Sequence, residues 1–94
     1  MRNYEGVLLM DPGLDEEGVN EASKLVEKVI TDANGEIGNW ERWGRRRLAY
    51  KIEGKTEAIY VLLTFTGAEN TVQDLTKTCE LSENILRHMF LRKG

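Results

Sequence analysis

Ninety-four residues with a formal net charge of −3 and one cysteine leave room for a single domain, 1–94, with one modest core. The lone thiol, Cys79, cannot make an internal disulfide or supply the paired ligands of a zinc cluster, which speaks against a secreted, disulfide-held fold. No apolar run approaches the ~20 residues of a membrane span, and Met1-Arg2-Asn3-Tyr4-Glu5 lacks the features of a signal or transit peptide, so a soluble, cytoplasmic protein is expected.

The charges are unevenly placed. Met1 to Glu41 holds ten acidic and three basic residues, whereas Arg42 to Gly94 holds six acidic and ten basic. Arg42, Arg45, Arg46, Arg47 and Lys51 fall together with no acid among them. Local potential matters more for phosphate binding than the total, because charges beyond ~10 Å are largely screened at physiological salt. The acidic total therefore leaves RNA binding open.

In chain order, Tyr4 to Met10 is a nearly continuous apolar run suited to a central strand. Asp11-Pro12-Gly13 ends it in a turn. Asp15 is placed as a helix N-cap, with Glu16 and Glu17 in the first turn where the macrodipole favours acids. Val19, Ala22, Leu25, Val26, Val29, Ile30 and Ala33 then follow at three- and four-residue spacings, predicting one apolar helical stripe. Asn34-Gly35 ends that helix as a left-handed cap.

Glu36 to Ile52 reads as a long strand bent or bulged near Gly44, with clean alternation from Leu48 onward. Glu53-Gly54-Lys55 turns into a second central run, Ala58 to Phe65. Gly67 opens a shorter helix carrying Val72, Leu75 and Cys79, and a last strand runs from Ile85 to Leu91. Strand, helix, strand, strand, helix, strand is the α+β, ferredoxin-like order: a four-stranded antiparallel sheet with both helices on one face. The first and third strands are expected in the centre and the other two at the edges. The opposite sheet face is then solvated or covered by a partner.

No residue is assigned to catalysis, and no metal or cofactor is expected. The single His88 and single Cys79 lack partners, and neither a GxxxxGK[ST] nor a GxGxxG loop is present. Glu16, Glu17, Glu21 and Glu27 are read as a solvated helix face. His88 is read as structural, and Cys79 as a small core residue.

Trp40-Glu41-Arg42-Trp43-Gly44-Arg45-Arg46-Arg47-Leu48-Ala49-Tyr50 stands apart. Tryptophans offer stacking surfaces, and arginines offer forked donors that fit phosphate bidentately. Lysine would serve equally well if the segment only guarded an edge strand, so RNA or protein binding is the favoured reading. Arg87, Arg92 and Lys93 on the last strand, and Arg2 on the first, repeat the theme and are expected to gather along one side of the sheet. The aromatic signature of RNA-recognition domains is missing between Lys55 and Phe65, so shape and phosphate contacts along an edge are expected instead.

The opening Met1-Arg2-Asn3-Tyr4-Glu5, Asp11-Pro12, Leu14-Asp15 and above all Gly44-Arg45-Arg46-Arg47-Leu48-Ala49-Tyr50 with Lys51-Ile52 resemble the family of bacterial small-subunit ribosomal protein six. Asn84-Ile85, Arg87 and Met89 extend the resemblance to the end of the chain. The resemblance implies the same fold over 1–94 and a structural role in the cytoplasmic small ribosomal subunit. It also implies two partners: the central domain of the small-subunit RNA, and small-subunit protein eighteen. Arg2, Arg46, Arg47 and Arg87 are the positions it points to for RNA or partner contacts, with Trp43 and Arg45 beside them. Gly6 stands where a larger apolar residue would fill the core better, predicting looser local packing.

Two other classes use this topology. A small-molecule-binding regulatory module would show a ligand pocket at a dimer interface and no salt-dependent RNA binding. An acyl-phosphate hydrolase would need a phosphate-cradling loop after the first strand, where Asp11-Pro12-Gly13 places an acid.

Overall fold

The computed structural model describes residues 1–93. The elements follow as β1 (Arg2–Met10), α1 (Glu16–Asp32), β2 (Glu36–Ile52), β3 (Lys55–Gly67), α2 (Glu69–Leu81) and β4 (Ile85–Lys93). The strands form one antiparallel sheet in the order β2-β3-β1-β4, so the two most apolar strands are central. Both helices lie on one face, giving the ferredoxin-like α+β fold.

Alternation decides which residues enter the core. Tyr4, Leu8 and Met10 from β1 meet Val61, Leu63 and Phe65 from β3 under Val19, Ala22, Val26 and Ile30 of α1 and Leu75 and Cys79 of α2. Leu25 departs from the predicted stripe and is 44% exposed. At 3.6 residues per turn it sits about 100° from the line through Val26 and Ile30, off the edge of the contact. The predicted gap at Gly6 is also absent. A Cβ there would lie 2.7 Å from Leu63 Cδ2 and 3.0 Å from the Phe90 ring, so those side chains already fill the space.

The helix ends follow local chemistry. Asp15 Oδ1 accepts the Gly18 N–H at 2.8 Å, the predicted N-cap. At the other end the Gly35 N–H donates to Ile30 O and the Asn34 N–H to Thr31 O, a Schellman pattern. Asn34 carries the positive φ of 64°. Gly35 is needed for a different reason: a Cβ would lie 2.5 Å from Thr66 O on the neighbouring β3 backbone. The Asp11 carboxylate, placed after the first strand, accepts the Gly13 N–H at 2.8 Å and closes the turn on itself.

Candidate nucleic-acid interface

Strand β2 is the edge that carries the arginine cluster, and its pairing with β3 is broken three times. At the second break Arg42 opposes Val61 and Gly44 opposes Tyr60, so Trp43 is an extra residue with no partner. Gly44 has a φ of 77°, a backbone state that glycine adopts freely and that turns the strand here. At the third break Arg47 opposes Glu57 and the next pair is Ile52 with Lys55, so Leu48–Lys51 face Thr56 alone. The clean alternation predicted from Leu48 is therefore interrupted. Those residues leave the ladder just before the two-residue turn at Glu53 and Gly54, where both φ angles are positive.

The two tryptophans part company at the bulge. Trp40 packs against the core, while Trp43 is 48% exposed. Arg42 is held toward α1, with Nη1 3.8 Å from Glu16 Oε1 and Nη2 donating to Asn20 Oδ1. Arg45, Arg46 and Arg47 are all exposed, and among the described residues no carboxylate lies within ion-pair distance of them. Even Glu57, opposite Arg47 in register, makes no ion pair with it. Arg46 instead places its guanidinium 5.4 Å from the Trp43 ring centroid and donates from Nε to Trp43 O at 3.4 Å.

The remaining basic residues share the β4 side of the sheet, as expected, with Arg87, Arg92 and Lys93 on edge strand β4 and Arg2 on its neighbour β1, but they divide along its length. Arg87 opposes Leu9, Leu9 opposes Tyr60 and Tyr60 opposes Gly44, so Arg87 is level with the bulge but on the far edge. Arg2 (opposite Gly67), Arg92 (opposite Tyr4) and Lys93 (opposite Asn3) lie at the other end of the sheet. Antiparallel pairing of β1 with β4 brings the start of one beside the end of the other, which forces this division. Lys93 is 3.8 Å from Glu5, and both are partly exposed.

Tyr50 closes the arginine-rich segment but is not among the expected contact residues. The Tyr50 hydroxyl accepts a 2.8 Å hydrogen bond from Arg87 Nη1, across 37 residues of sequence. The displaced Leu48–Lys51 segment thus reaches over the open sheet face. With Val7, Leu9, Tyr60 and Met89 it borders a cleft of about 340 Å³. Only the curl of the hairpin brings these residues together.

The groups capable of chemistry are occupied otherwise. Cys79 is 1% exposed, and its burial, aided by the charge of Glu80, pushes the thiol from 9.0 up to about 11. The His88 ring lies 5.7 Å from Phe90. No helix among the described residues is long and apolar enough to cross a membrane.

The molecule is a small ferredoxin-like α+β domain whose β2 edge exposes Arg45, Arg46 and Arg47. The profile described as Ribosomal protein S6 matches residues 3–92. Small ribosomal subunit protein bS6 of Syntrophomonas wolfei is 42% identical over 94 residues, covering 99% of this chain and 97% of that protein. The protein of the same name from Clostridium acetobutylicum is 37% identical over 91 residues, covering 97% and 96%. The crystal structure of 30S ribosomal protein S6 from Thermotoga maritima superposes with a TM-score of 0.90 at 28% identity, covering 98% of this chain and 87% of that one. The C-terminal domain of MgtC from Mycobacterium tuberculosis, at a TM-score of 0.65 and 4% identity, shares the fold alone.

The chain belongs to the ribosomal protein S6 family. It is a ribosomal, RNA-binding protein of translation and not an enzyme.

Proposed function

We propose that this protein binds the central domain of the small-subunit ribosomal RNA together with small-subunit protein eighteen, and that the β2 edge supplies its main phosphate contacts. The carrying observation is the run Arg45, Arg46 and Arg47, exposed and without an ion-pair partner among the described residues. Three guanidinium groups fixed on a strand need not break internal ion pairs before meeting phosphate, and each can donate two parallel hydrogen bonds. Arg2, Arg92 and Lys93 form a second basic group at the other end of the sheet, suited to a separate stretch of RNA or to the partner. Arg87, tied to Tyr50, contributes at the open face. There Met89 and Leu91 are about half exposed and suit the apolar surface of protein eighteen.

The test is reconstitution of the small subunit with the Arg46→Ala, Arg47→Ala double variant. Incorporation is expected to weaken while thermal stability stays near wild type, because both side chains lie outside the core. Unchanged incorporation rejects the assignment of the β2 edge.

A further inference from the structure

The bulge in β2 creates something that a straight edge strand would not. Trp43 has no opposing residue on β3, is absent from the core cluster and exposes 48% of its surface. A tryptophan so displayed leaves a large apolar face in water. One side of the indole is already covered by Arg46, whose planar guanidinium lies 5.4 Å from the ring centroid and is steadied by its bond to Trp43 O. The pair is thus held ready to stack before any ligand arrives. Arg45 and Arg47 are its neighbours along the strand and point to the opposite face of the sheet, both exposed and without an acid in ion-pair reach among the described residues.

We infer that Trp43 and Arg46 form a stacking platform for one unpaired RNA base, with Arg45 and Arg47 adding positive charge from the other face of the same edge strand. This rests on the RNA-binding reading above and adds the kind of RNA element the edge prefers. A base within a continuous duplex has both faces covered by its neighbours, so only a bulged or looped nucleotide can lie on the indole. The guanidinium behind the ring makes the sandwich base, indole, guanidinium, in which each layer is planar. A protein surface suits this patch less well, since it must supply several carboxylates to offset the unpaired arginines, whereas phosphates accompany every base.

The test compares two synthetic RNA hairpins, one with a single unpaired adenosine in its stem and one without it, titrated against wild type, Trp43→Leu and Trp43→Phe. The platform predicts that only the hairpin with the unpaired base quenches indole emission. Trp43→Leu removes that quenching and weakens binding of this RNA roughly tenfold, while leaving the fully paired hairpin unaffected. Trp43→Phe recovers much of the affinity. Circular dichroism and the thermal midpoint of Trp43→Leu should match wild type, because the side chain is outside the core.

Equal binding of the two hairpins with unmoved emission overturns the platform but leaves the phosphate-binding edge standing. Quenching produced by small-subunit protein eighteen in place of RNA also overturns it and marks the patch as a protein interface. Failure of both hairpins to bind, with and without that partner, overturns it as well. Incorporation of the Arg46→Ala, Arg47→Ala variant then judges the assembly role independently.

Discussion

At the residue scale, Cys79 and Gly35 show how little room the interior leaves. The native state holds the Cys79 proton more tightly than the unfolded chain does, because the thiolate would be buried beside Glu80. Its folded value of about 11 lies above the ordinary 9.0. Its stabilising contribution is therefore complete below pH 9 and is lost as pH rises toward 11, by at most about 2–3 kcal/mol. Denaturant unfolding across that interval should show a shallower alkaline decline in Cys79→Ala than in wild type, whatever the variant's offset from its lost packing. Gly35→Ala meets a harder obstacle. Its Cβ would sit 2.5 Å from Thr66 O and 3.0 Å from Ile30 O, both backbone atoms that cannot swing aside. A loss of about 1–3 kcal/mol is expected in the same unfolding experiment.

At the scale of elements, β2 combines two tasks in one strand. Its first part, through Trp40, packs on the core and pairs with β3. Beyond the bulge it is an exposed edge that stays paired with β3 from Gly44 to Arg47 and leaves the ladder at Leu48–Lys51. The break at Leu48–Lys51 lets Tyr50 reach Arg87 on the opposite edge strand. Tyr50→Phe removes the acceptor while keeping the ring. Amide hydrogen exchange should show roughly two- to fivefold lower protection in Leu48–Lys51, the yield of one modest surface hydrogen bond, with β1 and β3 unchanged. Unaltered exchange in that segment would mean that the ladder, and not the Tyr50 hydroxyl, holds the hairpin tip.

At the scale of the molecule, a net charge of −3 coexists with an arginine edge because the fold segregates the two signs. Acids of α1 line the helical layer, and among the described residues only Arg42 forms an ion pair with them, through Glu16. Counterion release then depends on the edge and not on the total. Binding to small-subunit RNA should fall steeply with salt. The logarithmic slope should lessen by about one for each phosphate contact removed, so by about two in the Arg46→Ala, Arg47→Ala variant. A slope that does not move assigns the phosphate contacts to other residues.

The order of elements, the central strands, the Asp15 cap and the bulge at Gly44 were legible in the linear chain. Each follows from periodicity or from a neighbour's conformational preference, and those interactions span only a few residues. Residue chemistry and resemblance likewise singled out Arg45, Arg46 and Arg47. Which tryptophan enters the core was a tertiary decision, because one unpaired residue at the bulge exposes Trp43 after Trp40 has packed inward. So was the separation of Arg2, Arg92 and Lys93 from Arg87, since strand order and register set the distance between charges. The Arg87–Tyr50 bond joins opposite edges of the sheet, and the filling of Gly6 by Leu63 and Phe90 joins three strands. Contacts of that kind depend on how the whole chain closes, and no local pattern encodes them.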